Sequence, residues 1–216
     1  MRGGTMVALT GTDIHGVILA GGQSSRMGTD KALLPVGDKV LLRIIAEQML
    51  SAGISGKIII SAGDGQREEG YRHALSRVQG TFEFVCDTYV DCGPLAGLHA
   101  ALSIIPAQAY GFVMACDMPV LSESLLTRMI TSASAVEDGR RPAVVRTTVN
   151  QPFHALYNAV VVPQLQQLLE QRDLRVMSFL KELDALQLEP TPAEAEAFIN
   201  LNTPELYAQY MTEHLR

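Results

Sequence analysis

The sequence has no run of about eighteen apolar residues, the length a membrane-spanning helix needs, so no transmembrane segment is expected. Residues 1–13 carry a single Arg and no apolar core of the secretory type, so they read as a flexible leader rather than a signal peptide. Cysteine is scarce. Cys86, Cys92 and Cys116 are an odd number without metal-ligand spacing. They are expected as buried thiols, which fits a reducing, cytoplasmic setting. Positive charge is in deficit: 17 Lys and Arg against 23 Asp and Glu, a formal net charge of −6. That argues against a general nucleic-acid binder, which would show a basic face. It leaves nucleotide binding open, because local cations decide that. No internal repeat and no low-complexity segment is present.

Two familiar phosphate motifs are also missing. The P-loop requires G-x-x-x-x-G-K-[ST]. Here Gly22 and Gly28 are one residue too far apart, and Thr29 stands where Lys should. The dinucleotide fingerprint G-x-G-x-x-G is not met either.

What remains is a different glycine loop. Val17 to Ala20 reads as a buried strand and breaks into Gly21-Gly22, a small polar stretch, Arg26, Gly28 and Lys31. Glycine lets backbone approach a ligand closely. Successive N–H groups in such a loop converge on negative oxygens. Arg26 offers a rigid fork of donors and Lys31 a mobile point charge, the two usual means of holding phosphate. A strand followed by a tight turn with solvated basic residues is the blander alternative.

The 216 residues suit one α/β domain. Helices are expected over residues 40–50, 66–78, 94–105 and 122–133, with Ser122 as an N-cap. Strands are expected over 57–61, 81–86 and 110–116. This alternation predicts a parallel sheet with helices on both faces. Beyond Pro119, 143–148 and 153–162 read as strands with antiparallel pairing, and 163–171 and 176–183 as helices. Thr191-Pro192 reads as loop and 198–202 as a last short strand, followed by a helix opened by Thr203-Pro204. Ligands of such sheets bind at the carboxyl ends of strands. Gly21-Gly22, Ser61, Asp87 and Asp117 all fall there, so they are expected to meet along one edge.

Leu19-Ala-Gly-Gly-x-Ser-x-Arg-Met-Gly-x-Asp-Lys31 resembles the signature of the nucleotidyltransferases that activate sugars and cofactors. The Ala-Gly-Gly form with Asp before Lys is most similar to the molybdenum cofactor guanylyltransferases. Asp87, Gly93-Pro-Leu-Ala-Gly97, Cys116-Asp-Met-Pro119 and Asn200-Leu-Asn-Thr-Pro-Glu205 follow in the family's order. The resemblance runs from about Gly16 to the C-terminus.

The resemblance implies a single-domain, Rossmann-like three-layer αβα fold of the nucleotide-diphospho-sugar transferase type, with a mostly parallel central sheet. Residues 14–216 would form the catalytic domain, with 14–120 as nucleotide-binding half and 121–216 as acceptor-binding half. The implied reaction transfers GMP from GTP to the phosphate of molybdenum-molybdopterin and releases pyrophosphate. Arg26, Lys31 and Asp117 would be catalytic, and Asp117 would hold Mg²⁺. Leu19, Ala20, Gly21, Gly22, Lys31, Ser61, Asp87, Gly93 and Asp117 would bind the nucleotide. Asp87 would accept the paired donors of guanine, N1–H and the exocyclic amine, which cytosine cannot present. Ser61 departs from family members that carry Asn there: it keeps a hydroxyl but loses the amide's paired donor and acceptor, so base recognition would lean more on Asp87 and backbone.

Asn200 and Asn202 would lie on one face of a strand. They would face the acceptor, although Asn202 capping the last helix is an equal alternative. Arg146, Arg172, Arg175 and Lys181 are available for the acceptor's phosphate and pterin, or form a solvated face. Implied partners are GTP, molybdenum-molybdopterin and, transiently, the proteins that deliver and receive the cofactor, with no nucleic acid and no membrane. A cytidylyltransferase of the same kind, a sugar-phosphate nucleotidyltransferase and a non-catalytic nucleotide carrier remain as alternatives.

Overall fold

Apolar residues in β1 (Ile14–Leu19) point alternately to opposite sides and are buried on both. Ile14 and Ile18 join one core cluster, Val17 and Leu19 another. A strand buried on both faces sits at the centre of a covered sheet. The computed structural model, which describes residues 9, 13–21, 30–135 and 140–214, shows this arrangement. β1 is flanked by β4 (Ile58–Ser61) and β6 (Tyr110–Ala115), both parallel to it. β5 (Phe82–Val85) pairs parallel outside β4. On the other side β8 (His154–Asn158) is antiparallel to β6 and to β7 (Val144–Thr147), and β9 (Leu186–Leu188) is parallel to β7. The strand order is β5-β4-β1-β6-β8-β7-β9, and only β8 runs against the rest.

Helices cover both faces, as the alternation predicts. On one side lie α1 (Leu41–Ser51), α2 (Glu68–Leu75) and α4 (Glu123–Ser134). On the other lie α3 (Pro94–Leu102), α5 (Val162–Glu170) and α6 (Val176–Glu182). α1 buries Leu41, Leu42, Ile45, Ala46 and Met49 at helical spacing. Each of its large apolar side chains contributes on the order of 1.5–3 kcal/mol. Ser122 caps α4, accepting from the Leu125 amide at 3.3 Å. Between β1 and α1 a 3₁₀ turn (Lys31–Leu33) leads into a small hairpin, β2 (Pro35–Val36) and β3 (Lys39–Val40). The final helix α7 (Pro204–His214) packs Tyr210 with Leu34, Val36 and Leu41 near this hairpin.

Four expectations are corrected. Residues 198–202 are not a strand: Phe198 ends a 3₁₀ helix (Pro192–Phe198), and the chain beyond it joins no sheet. Thr191-Pro192 is the start of that helix rather than plain loop. Thr191 and Glu194 form a reciprocal capping box, with the Thr191 amide donating to Glu194 at 2.8 Å. The strand expected over 153–162 stops at Asn158. Its side chain accepts from the Val160 amide at 2.9 Å and turns the chain into a 3₁₀ helix (Ala159–Val161). The helix expected over 66–78 is trimmed to Glu68–Leu75. Asp64 accepts from the Gln66 amide, and Gly63 and Gly65 take positive φ, so the preceding turn uses these residues.

Candidate nucleotide-binding site

β1 and β4 stay close past their carboxyl ends, joined at one carbonyl. The amides of Ala20 and Gly21 both donate to the Ser61 oxygen, at 3.0 and 2.8 Å. A Cβ on Gly21 would stand 2.5 Å from the Gly63 nitrogen, so only glycine lets the two chains pass. The Gly21 amide is therefore engaged by the sheet and is not a free donor. Leu19 and Ala20 are buried. Gly22, Arg26 and Gly28 lie outside the described residues.

Beside this junction opens a cleft of about 480 Å³, bordered by Gly21, Gly63 and Gly93 and by the charged side chains of Asp64, Arg67, Asp87 and Asp91. Gly93 takes φ 60° and delivers Pro94 to the first turn of α3, which no side chain caps. Amides at such a helix start favour negative or electron-rich ligand atoms. Asp87 enters from the end of β5, and its amide donates to the Gly63 carbonyl at 2.7 Å. Burial pushes the Asp87 carboxyl above its ordinary range, and nearby Asp64 adds to this. The Ser61 hydroxyl, donating to Oδ1 at 3.2 Å, pulls the other way. Ser61 itself is 2% exposed, and a Cβ on Gly97 would stand 2.4 Å from its Oγ. Ser61 thus supports Asp87 from below.

On the other side of β1 a second group assembles. The Lys31 Nζ donates to Oδ1 of Asn202 at 2.6 Å and lies 3.6 Å from Oδ2 of Asp117. The Lys31 and Asp117 side chains are each about a quarter exposed. The Asp117 carbonyl accepts the Leu201 amide at 2.7 Å, which pins the Asn200–Asn202 segment to the end of β6. Gln48 of α1 holds the chain after Asp117 from behind. Its Nε2 donates to the Pro119 carbonyl at 2.7 Å, and its Oε1 accepts the Leu121 amide at 2.8 Å.

Asn200 and Asn202 part company, because no strand carries them. Asn202 is exposed toward Lys31. The Asn200 Oδ1 is buried without a partner. It is Thr203, not Asn202, that caps α7, accepting from the Leu206 amide at 3.3 Å.

Asp30 and Tyr71 were not among the residues expected at the site. The Tyr71 hydroxyl, fully buried, lies 2.7 Å from Oδ2 of Asp30 and 3.2 Å from the Ala20 carbonyl. Asp30 also accepts the Ala32 amide at 3.0 Å. One hydroxyl therefore fastens both ends of the segment 22–29. Burial and the Asp30 carboxylate push the Tyr71 phenol well above its ordinary range, so it stays a donor. The pairing of Asp30 with Lys31 in the motif is the signal that pointed there. Tyr71 reads as a core aromatic in sequence, with no signal of this role.

Of the cysteines, Cys92 and Cys116 are buried as expected, but Cys86 is exposed at the end of the edge strand β5. Every residue of β5 is only half-buried, because one side of it has no neighbouring strand. Arg175 pairs with Asp173 at the surface, and Arg172 sits in a left-handed turn at φ 53°. Arg146 is buried.

Related sequences match this chain over nearly their full length. The chain is 32% identical to a molybdenum cofactor guanylyltransferase from Vibrio atlanticus, covering 93% of this chain and 97% of that one. It is 34% identical to a probable molybdenum cofactor guanylyltransferase from Pelotomaculum thermopropionicum, covering 93% and 94%. Its fold is similar to the crystal structure of molybdopterin-guanine dinucleotide biosynthesis protein A from Archaeoglobus fulgidus, with TM-score 0.69 at 20% identity, covering 92% and 97% of the two chains. It is likewise similar to 4-diphosphocytidyl-2C-methyl-D-erythritol synthase from Anaerococcus prevotii, with TM-score 0.69 at 14% identity, covering 95% and 97%. Residues 16–186 match the model of the MobA-like NTP transferase domain, and the chain belongs to that family.

Proposed function

We propose that this protein transfers GMP from GTP to the terminal phosphate of molybdenum-molybdopterin, forming the guanine dinucleotide cofactor and releasing pyrophosphate. The observation that carries this reading is the pairing of two unlike groups along one sheet edge. A glycine-walled cleft holding Asp87, with Asp64, Asp91 and Arg67 also on its wall, lies on one side of β1. Lys31, Asn202 and Asp117 gather on the other. From the end of β5 to the end of β6 is three strand spacings, roughly 14 Å. That span suits a nucleotide lying across the edge, base in the cleft and phosphates toward Asp117.

In this reading the ionised Asp87 accepts the two parallel donors of guanine. Lys31 neutralises charge on the triphosphate, and we assign Arg26 the same task. Asp117 and Asn202 offer hard oxygen donors. Among the described residues no group of three or more His, Cys, Asp or Glu could hold a metal ion alone. That donor set fits Mg²⁺, which takes one or two carboxylates and completes its octahedron with phosphate and water. When bound, Mg²⁺ would neutralise charge developing at the α-phosphate. The acceptor's phosphate is already ionised, so its attack needs no general base. Catalysis is then positioning and electrostatics.

We further place the acceptor over the second half, residues 121–216, and the protein in a reducing compartment where its cysteines stay thiols. No helix among the described residues is long and apolar enough to cross a membrane.

The test is pyrophosphate release with Mg²⁺, molybdenum-loaded molybdopterin and each nucleoside triphosphate in turn. Release with GTP alone is expected. Release with CTP instead would overturn the role of Asp87, and GTP binding without release would point to a carrier.

A further inference from the structure

Arg146 is a buried cation with no counter-ion among the described residues. It sits in β7 and is 8% exposed. Its Nη1 donates to the Thr147 carbonyl at 3.0 Å, while its Nε is buried with no partner. Among the described residues no carboxylate lies within 4.0 Å of its guanidinium. A buried guanidinium without an anion is costly, and a ligand that brings the anion relieves that cost.

Its position in the sheet indicates which ligand. β7 is antiparallel to β8, and β8 to β6, so the carboxyl ends of β6 and β7 share one edge. The register Val145↔Leu156 sets Arg146 opposite Ala155, which in turn pairs with Val113 of β6. Arg146 thus stands two strands beyond β6, about 10 Å to the side away from the base cleft. The bond to Thr147, the last residue of β7, draws the guanidinium toward that edge. This is too far across for the reacting phosphate beside Asp117. It suits the opposite end of an extended acceptor.

We propose that Arg146 binds an oxyanion at the distal end of the acceptor, the oxo-molybdenum group carried by the dithiolene, and so favours the metal-loaded acceptor over the metal-free one. The proposal rests on the acceptor assignment above.

The test is equilibrium binding and steady-state kinetics of wild type, Arg146→Met and Arg146→Lys, with molybdenum-loaded and with metal-free molybdopterin. Wild type is expected to bind the loaded acceptor more tightly. Arg146→Met should weaken binding and raise KM for the loaded acceptor tenfold or more, leave the metal-free acceptor within twofold, and leave GTP affinity unchanged. Arg146→Lys should recover part of the loss. The melting temperature of Arg146→Met should stay level or rise, because an uncompensated charge has left the interior. A lower melting temperature with unchanged acceptor affinity would make Arg146 structural and overturn the proposal. Equal losses with both acceptors would overturn the assignment to the metal end. If wild type releases no pyrophosphate yet discriminates the two acceptors through Arg146, the reaction assignment fails and the anion site stands. If wild type binds neither acceptor, both fail.

Discussion

Lys31 and Asn202 are 171 residues apart in sequence, and the Nζ of one donates to the Oδ1 of the other at 2.6 Å. Asp117 stands 3.6 Å from the same ammonium. The first loop, the middle strand and the C-terminal segment thus converge on one charge. Lys31→Ala removes a point charge from the triphosphate side, where a charge-assisted contact is worth about 1.5–3 kcal/mol. GTP affinity measured by calorimetry should fall on the order of tenfold to a hundredfold. Unchanged affinity would remove Lys31 from the phosphate site.

Asp117→Ala should abolish Mg²⁺-dependent pyrophosphate release while the protein still folds. The carboxylate's ion pair with Lys31 is partly solvated, and such pairs contribute about 0–1 kcal/mol to stability. The backbone carbonyl that anchors Leu201 is retained in the variant. A thermal melt within a few degrees of wild type, with turnover lost, is the expected pair of results.

Tyr71→Phe keeps the ring in the core and deletes the hydroxyl between Asp30 and Ala20. Hydrogen bonds to a charged acceptor are worth about 1.5–3 kcal/mol. Urea denaturation should show a loss in that range. GTP affinity should fall as well, since both ends of the 22–29 segment lose their common tie. A stability loss with GTP affinity intact would confine Tyr71 to a structural role.

Asp87 links nucleotide binding to pH. Its folded-state carboxyl titrates above the ordinary value of 3.8, because burial disfavours the charge. GTP affinity should therefore weaken as pH falls through that raised value, earlier than for an ordinary carboxylate. Stability moves the other way. Between 3.8 and the raised value the folded state binds more protons than the unfolded, so stability falls as pH rises through that window. Asp87→Asn should lose guanine selectivity yet be no less stable at neutral pH. A flat affinity profile across the window would remove Asp87 from base recognition.

His154, with His15 and His99 shifted in the same direction, ties stability to acid pH. His154 is packed edge-on against Phe112 and Phe198, and burial lowers its titration to about 4 from 6.5. Below 6.5 the unfolded chain takes up a proton that the folded one refuses, so stability drains away as pH falls from 6.5 toward 4. The full effect is about 3 kcal/mol. His154→Phe should flatten this part of the pH–stability curve measured in urea, even if the variant is less stable at neutral pH. An unchanged slope would show that other groups govern the acid loss.

The strands β1, β4 and β6 were legible because strands buried on both faces read as unbroken apolar runs. α1 and α4 were legible from helical spacing and, for α4, its Ser122 cap. The site's main chain-end carboxylates, Asp87 and Asp117, follow from strand ends in an α/β sheet. β9 was not legible: Leu186–Leu188 is short and half-solvated, and only its neighbour β7 makes it a strand. The residues 198–202 misread for a related reason. Their apolar-polar alternation matches a strand, but they pair with no strand, and the segment docks instead through the Leu201 amide on Asp117.

By itself the sequence determined the α/β class, the order of its central elements and the residue types the chemistry needs, since these depend on local periodicity and on motif spacing. Tertiary structure alone decided which of those residues work together. It spent the Gly21 amide on the sheet, turned Ser61 beneath Asp87, separated Asn200 from Asn202 and drew Tyr71 to Asp30. It also left Arg146 without an acid beside it among the described residues. Partners so distant in sequence are set by packing and strand order, which no local pattern encodes.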